Sequence, residues 1–314
     1  LSRLSTGSCA WRESSRGDIR PVKKRKAAMK NVILAPSAGF CFGVQRAVDM
    51  VDREIRRKQG PIYTYGPIIH NEIVVRELED RGVSVIEEGS DLAAYEPGTV
   101  IIRSHGITAG VYHELEDCGF RIVDATCPNV LRIHRLVEKY AGAGYHILIV
   151  GNAKHPEVEG IIGWIPKKSP YSVIMTEAEA EAVSIPDRRK VLIVSQTTFN
   201  YKKFGQLVEI LEQKGYDITA VNTICNATEE RQRDAYEIAR KTDVMLVIGG
   251  KSSSNTQKLY EICSRECKQT YFIQTIDDLD VSVLQSIQNV GITAGASTPQ
   301  KIIKEVQNNV RNEF

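Results

Sequence analysis

The sequence lacks any long hydrophobic run. Its longest apolar runs, Val244–Ile248, Ile147–Val150 and Val191–Val194, have the length of a β-strand. A transmembrane helix needs about 20 apolar residues. The sequence also lacks a basic stripe: beyond residue 28 it carries 33 basic and 37 acidic residues. These absences exclude a membrane-spanning enzyme and disfavour nucleic-acid binding by this part of the chain, because such binding needs clustered positive charge.

The seven cysteines include no Cys-x-x-Cys pair. This absence removes support for a thioredoxin-like redox site, a zinc ribbon and the clustered ferredoxin pattern. An odd number of cysteines in a chain of this size without a secretory signal indicates reduced thiols. We therefore expect a cytoplasmic protein.

Residues 1–28 carry eight basic and two acidic residues, and they show neither a strand nor a helix period. We expect this segment to be a disordered or upstream extension before a natural start at Met29. Its Arg- and Ser-rich composition leaves a transit peptide as the alternative. In that case the protein would be expected in a plastid.

Three segments of the chain share one pattern: a short apolar run, a turn of small residues that holds a cysteine, and a helical pattern. The cysteines are Cys41, Cys127 and Cys225. Each segment is followed by two more apolar runs with polar ends, which predicts an α/β fold with parallel sheets. We expect three pseudo-repeated α/β domains around a pseudo-threefold axis, with boundaries at 29–126, 127–222 and 223–314.

The three repeat cysteines are predicted to meet at one central site. Ligands of parallel sheets bind in the loops after the carboxyl ends of the strands. Each cysteine also precedes a helix, where the helix dipole favours the thiolate that metal ligation requires. Three thiolates suit either a catalytic zinc with an open fourth position or a cubane iron–sulfur cluster with one open iron. The softness of the ligands does not decide between these two.

Polar side chains at the predicted strand ends form what we call the polar collar. Its members are His70, His105, His155, Glu157, Thr197, Ser253, Ser254, Asn255 and Ser297. A ring of neutral or protonatable donors is typical of a site for a small anion such as a diphosphate. Glu157 is the one carboxylate in the collar, which favours a role as proton donor.

Nine ordered motifs make the chain resemble a known family. They are GFCFGV, IIHN, RSHG, DATCP, HPEVEG, SQTT, TICNAT, SSSNT and TAGAST. Their order from Met29 to nearly the C-terminus resembles that of the 4-hydroxy-3-methylbut-2-enyl diphosphate reductases, the LytB family. The resemblance implies a trefoil of three α/β domains around an oxygen-sensitive [4Fe-4S] cluster. The implied cluster ligands are Cys41, Cys127 and Cys225.

The resemblance also implies roles for the polar collar. Glu157 would supply protons, Thr197 would lie near the hydroxyl end of the substrate, and the diphosphate would contact His70, His105, His155, Ser253, Ser254, Asn255 and Ser297. The implied reaction is the reductive dehydroxylation of 4-hydroxy-3-methylbut-2-enyl diphosphate to isopentenyl and dimethylallyl diphosphate. Its electrons would come from a low-potential donor such as ferredoxin or flavodoxin.

Three other functions remain open at this point. One is a redox-neutral iron–sulfur hydro-lyase acting on a small phosphorylated substrate, with the open iron as a Lewis acid. Another is a zinc- or cluster-bearing sensor without catalysis, although a sensor needs no proton donor such as Glu157 beside its anion site. The third, the most remote, is nucleic-acid binding by residues 1–28.

Overall fold

The computed structural model describes residues 30–185, 190–285 and 287–312. The extension expected at residues 1–28 lies outside the described residues. Within them the predicted α/β class is confirmed: helices alternate with twelve strands, which form three four-stranded sheets with only parallel pairs.

The first sheet has the strand order β3-β2-β4-β5. The elements from the first strand to the end of this sheet are β1 (Asn31–Leu34), α1 (Phe42–Arg57), β2 (Ile62–Tyr65), α2 (Glu72–Glu79), β3 (Val83–Ile86), β4 (Thr99–Ile102), α3 (Ala109–Asp117) and β5 (Arg121–Asp124). A 3₁₀ turn at Leu92–Ala94 joins β3 to β4.

The second sheet repeats this order as β7-β6-β8-β9. Its elements are α4 (Pro128–Gly142), β6 (His146–Val150), α5 (Pro156–Gly163), β7 (Tyr171–Ile174), α6 (Glu177–Ala182), β8 (Val191–Ser195), α7 (Tyr201–Gln213) and β9 (Ile218–Ala220).

The third sheet has the order β11-β10-β12-β1, so its last strand comes from the other end of the chain. Its remaining elements are α8 (Asn226–Ala239), β10 (Val244–Ile248), α9 (Ser254–Glu266), β11 (Thr270–Ile273), β12 (Asn289–Ala294) and α10 (Gln300–Asn312), with 3₁₀ turns at Ile276–Asp278 and Val281–Leu284 between β11 and β12.

The pairing of β1 with β12 closes the threefold repeat into a ring. Asn31 lies opposite Asn289 and Leu34 lies opposite Ile292. In each sheet the last strand is the one that leads into a cysteine-bearing helix: β5 before α4, β9 before α8 and β1 before α1. The sequence-based division at 29–126 places β1 with the first domain, whereas its hydrogen bonds join it to the third sheet. The domain boundaries themselves stay a prediction.

The central strands carry the core of each sheet. All residues of β6, β8 and β10 are buried, which their continuous apolar runs predict for parallel strands covered by helices on both faces. Helix α1 shows the complementary pattern, because it buries Val44, Ala47 and Val51 along one face. Within the described residues, no helix combines the length and the apolar character needed to cross a membrane.

Candidate active site

The three repeat cysteines occupy equivalent positions at helix N-termini. Cys41, Cys127 and Cys225 are the N-cap residues of α1, α4 and α8. The backbone N–H of each cysteine donates to a carbonyl in the loop after the third strand of the sheet whose last strand precedes that cysteine. These bonds run from Cys41 to Ala296 (3.2 Å), from Cys127 to Ser104 (3.0 Å) and from Cys225 to Thr197 (3.1 Å). The sequence repeat is thus reproduced in the hydrogen bonding that positions the thiols.

The thiols face one cavity of about 90 Å³, and Gly43 shows how closely they approach. A Cβ atom on Gly43 would lie 2.7 Å from Cys127 Sγ and 4.0 Å from Cys41 Sγ, so a side chain at this position would overlap the Cys127 thiol. The pKa of Cys127 is raised to about 11, mainly by burial and in smaller part by the neighbouring thiols of Cys41 and Cys225. Three thiolates at this spacing therefore require a positively charged partner, as a bound metal would provide.

Three histidines from the loops after β2, β4 and β6 form a cluster beside the thiols. His70 follows β2, His105 follows β4 and His155 precedes α5. The ring centroids lie 4.2 Å apart for His70 and His105, 5.4 Å apart for His70 and His155, and 5.6 Å apart for His105 and His155. Each ring offers a nitrogen within 4.8 Å of a nitrogen on each of the others. The predicted strand-end histidines are therefore brought together.

Hydrogen bonds to neighbouring groups define the proton positions on two of these rings. His155 Nδ1 lies 3.1 Å from the backbone N–H of Glu157, which can only donate. In the neutral ring Nδ1 is therefore the acceptor and Nε2 carries the proton. His70 Nδ1 lies 2.9 Å from the carbonyl oxygen of Ser252, which can only accept, so His70 has the opposite tautomer.

The histidine cluster is uncharged at neutral pH. Burial is the first cause that lowers the pKa of each ring, to about 3 for His155 and well below the usual value for His105. The buried guanidinium of Arg103 lowers all three pKa values as well. An anion entering the site would oppose both effects.

Asn255 presents a buried donor that has no partner in the described part of the chain. Its Oδ1 accepts the backbone N–H of Ala296 at 3.0 Å, which fixes the orientation of the amide. Its Nδ2 is buried without a hydrogen bond, and so is Nδ1 of His105. An unsatisfied buried polar atom costs about 1–3 kcal/mol, so both atoms indicate a site built to receive a polar ligand.

The serines of the collar link different parts of the fold. Ser297 Oγ donates to the carbonyl oxygen of His70 at 3.0 Å. Ser254 Oγ lies 3.0 Å from Thr198 Oγ1. Ser253 Oγ accepts the backbone N–H of Thr256 at 3.3 Å as the N-cap of α9. These contacts hold loops from all three sheets in one arrangement around the cavity.

Glu157 and Thr197 form a closed hydrogen-bonded pair. Glu157 Oε1 accepts the backbone N–H of Thr197 at 2.6 Å, and Oε2 lies 2.7 Å from Thr197 Oγ1. The carboxyl group is buried, with 2% of the residue exposed. Burial raises its pKa to about 7, although both contacts with Thr197 oppose the rise. Glu157 can therefore hold a proton at neutral pH.

All twelve residues predicted from the sequence line the same cavity. Sequence reasoning did not assign the other cavity residues, and four polar side chains at or beside the cavity take part in hydrogen bonds there. Ser104, Thr198 and Thr228 line the cavity, and Gln196 donates to Ser254 Oγ at 3.4 Å. These four belong to the segments RSHG, SQTT and TICNAT, so their place within the repeat motifs was the available signal.

Comparison with known proteins gives close matches along most of the chain. A family model described as LytB protein matches residues 32–311. The 4-hydroxy-3-methylbut-2-enyl diphosphate reductase of Caldanaerobacter subterraneus subsp. tengcongensis is 45% identical over 282 residues, covering 90% of this chain and 96% of the relative. The reductase of the same name from Clostridium perfringens is 44% identical over 284 residues, covering 90% of this chain and 99% of the relative.

Two solved structures share the fold. One is an E-1-hydroxy-2-methyl-but-2-enyl-4-diphosphate reductase from Plasmodium falciparum, with a TM-score of 0.83 and 29% identity, covering 90% of this chain and 88% of that one. The other is described as (E)-4-hydroxy-3-methyl-but-2-enyl diphosphate reductase, the terminal enzyme of the non-mevalonate pathway. It has a TM-score of 0.67 and 37% identity, covering 91% of this chain and 100% of that one. On the family match, the identities and the shared three-sheet trefoil, the chain belongs to the LytB protein family.

Proposed function

We propose that this protein reduces 4-hydroxy-3-methylbut-2-enyl diphosphate to isopentenyl and dimethylallyl diphosphate. The reaction consumes two electrons and two protons, replaces the allylic hydroxyl group by hydrogen and releases one water. The names of the relatives support this substrate. The observation that carries the proposal is that one cavity combines three thiols, two buried nitrogen atoms without a partner among the described residues, and one carboxyl group with a pKa near neutrality.

The three thiols would hold a [4Fe-4S] cluster. Cys41, Cys127 and Cys225 fit this group because they converge on one space, and because burial raises the pKa of Cys127 and Cys225, whose thiolates therefore need a compensating positive charge. Three cysteine ligands leave one iron without a protein ligand. When bound, the cluster would supply the low-potential electrons and an open coordination position. The protein's own residues would supply binding, orientation and protons.

The diphosphate group would be bound by the polar collar. Asn255 Nδ2 is a buried donor without a partner, and the neutral tautomer of His155 directs its Nε2–H away from the Nδ1 contact with Glu157. Ser253 and Ser254 lie at the N-terminus of α9, where the helix dipole favours an anion. Ser297 and His105 complete the set on the side of the first sheet. Because His70 Nδ1–H is held by the carbonyl oxygen of Ser252, His70 would donate to the diphosphate through Nε2 only in its protonated form, which an entering anion favours. Neutral donors suit this task because they bind the anion without a fixed ion pair.

Glu157 would deliver a proton through Thr197. The backbone N–H of Thr197 can only donate, so Glu157 Oε1 is an acceptor and the acidic proton resides on Oε2. Thr197 Oγ1 donates to Oε2 of the carboxylate, and in the acid form this hydrogen bond would reverse, so that Oε2–H donates to Thr197 Oγ1. This leaves the hydroxyl hydrogen of Thr197 free to point into the cavity. A proton could thus pass from the buried carboxyl to the leaving hydroxyl group of the substrate without water.

The test is an anaerobic assay with a chemical reductant. Protein purified without oxygen should contain about four iron and four sulfide per chain, and Cys127→Ser should lose both. With reduced methyl viologen, the wild-type protein should convert the substrate to the two C5 diphosphates. Cys118→Ser, at the C-terminal end of α3 and outside the cavity, is the matched control and should keep the cluster. Loss of water from the substrate without any reductant, giving a product other than these two diphosphates, would instead support the redox-neutral hydro-lyase.

The physiological partner would be a low-potential electron carrier such as ferredoxin or flavodoxin. The six described cysteines are free thiols, which fits the cytoplasm as the proposed location. The iron-loaded protein would be mixed with each purified, reduced carrier. The visible absorption of the cluster would then show which of the two donors reduces it. Failure of both to reduce a cluster that viologen does reduce would contradict this assignment.

A further inference from the structure

The third thiol differs from the other two in its hydrogen bonding. Thr228 Oγ1 lies 3.0 Å from Cys225 Sγ. Thr228 is buried, with 2% of the residue exposed, and the structure gives its hydroxyl group no other hydrogen-bond partner within the described residues. A threonine inside a helix commonly bonds to the carbonyl one turn earlier. Here the hydroxyl group instead contacts the sulfur.

The same position in the other two repeats has no hydroxyl group. Thr228 stands three residues after Cys225, in the first turn of α8. The equivalent residues three positions after Cys41 and Cys127 are Val44 and Val130, which are also buried in the first turn of their helices. Valine and threonine have nearly the same shape, so the repeat keeps the packing and adds a donor only at the third cysteine.

We propose that Thr228 tunes the proposed cluster by donating a hydrogen bond to the sulfur of Cys225. This inference rests on the proposed function, because it requires that the three thiols hold a redox cluster. A hydrogen bond to a ligand sulfur withdraws negative charge from the cluster and favours its reduced form, which raises the reduction potential. Thr228 would act on the cluster only through Cys225, so it is a positioning residue. Only the third of the three repeats has this hydroxyl group.

The decisive experiment is a redox titration of the cluster followed by electron paramagnetic resonance, in wild type and Thr228→Val. The variant makes the third repeat like the other two and keeps all three thiols. At a fixed applied potential we expect the ratio of reduced to oxidised cluster to fall by about threefold to tenfold. A tenfold change corresponds to about 59 mV for one electron. Thr228→Ser keeps the hydroxyl group and should restore the wild-type ratio.

The reverse substitution tests the same idea if Thr228→Val fails to assemble a cluster. Val130→Thr places a hydroxyl group three residues after Cys127 and should shift the ratio toward the reduced form. The proposal is overturned if Thr228→Val has the wild-type midpoint at equal iron content, if Thr228→Ser shifts as far as Thr228→Val, or if Val130→Thr holds the cluster with an unchanged midpoint. Wild-type protein without iron would refute the proposed cluster, whereas equal midpoints in iron-loaded proteins would refute only the role of Thr228.

Discussion

Two regions of the same cavity differ in how far their polar groups are satisfied. Around Glu157 and Thr197, both carboxyl oxygens have partners at 2.6 and 2.7 Å. Around Asn255 and His105, one buried nitrogen on each side chain has none within the described residues. We call these the closed region and the open region. The carboxyl group of Glu157 and both of these nitrogen atoms are buried, so the difference lies in hydrogen bonding rather than in exposure.

The contrast indicates a division of labour. A closed pair keeps its geometry before substrate arrives, which suits a group that must hold and release one proton at a defined atom. An open region carries unpaired donors at a cost in stability, which is recovered only when a ligand accepts their hydrogen bonds. On this basis the closed region would serve the chemical step and the open region would serve binding. Substitutions that change one property at a time can separate the two.

The largest effect is expected from Glu157→Gln in the closed region. The amide oxygen can still accept the Thr197 N–H, and the amide nitrogen can still donate to Thr197 Oγ1, so the local geometry is kept while the transferable proton is lost. We expect kcat to fall by about 10²-fold to 10⁴-fold with little change in iron content or substrate affinity. Single-turnover kinetics on the iron-loaded protein would measure this fall in the rate of the chemical step.

Glu159→Gln is the matched control, since Glu159 lies two residues further along α5 and is exposed. It should leave kcat unchanged. A Glu157→Gln enzyme that turns over at the wild-type rate would show that the closed pair is a structural contact only.

The next effect is expected from Asn255→Asp in the open region. One carboxylate oxygen can still accept the Ala296 N–H, but the other replaces the free donor by an anionic acceptor. The substitution would remove a charge-assisted hydrogen bond to the diphosphate and would add electrostatic repulsion of it. KM should therefore rise by roughly 10²-fold. Equilibrium binding of the substrate and steady-state kinetics would both report it.

Asn200→Asp controls for the charge change, because Asn200 caps α7 through Oδ1 and does not line the cavity. It should bind substrate like the wild type. An unchanged KM in Asn255→Asp would place the diphosphate away from the open region.

The sequence predicted the class of the fold and which residues line the cavity, but it did not predict which strands and loops pair with each other. Cys41, Cys127 and Cys225 could be found because the repeat pattern is local, and the collar because strand ends follow apolar runs. The pairing of β1 with β12 joins residues 258 positions apart, and no local pattern encodes such a long-range partner. The closed state of Glu157 likewise depends on a loop 40 residues away.

A smaller effect is expected in the pH dependence of kcat/KM, which tests the role of Glu157 in the closed region. The pKa of Glu157 is raised to about 7 by burial, so its acid form prevails below that pH and is lost above it. If the acid form is the proton donor, kcat/KM should decline above about pH 7 by up to tenfold per pH unit. Glu157→Gln should lack this decline, because the amide does not titrate. A decline that persists unchanged in Glu157→Gln would assign it to another group.

The smallest effect is a difference in stability between the two regions without substrate. Thr197→Val removes the hydroxyl partner of Glu157 Oε2 and should lower the free energy of unfolding by about 1–3 kcal/mol, because a buried carboxyl oxygen is left unsatisfied.

His105→Phe keeps a ring beside His70 but replaces the unpartnered Nδ1 by carbon. It should leave the free energy of unfolding unchanged or raise it, while weakening substrate binding. Urea denaturation of both variants at equal iron content measures the difference, and substrate should stabilise the wild type more than His105→Phe. Equal losses of stability in the two variants would mean that the open region is held by contacts as strong as those of the closed one, and that its free donors are not reserved for a ligand.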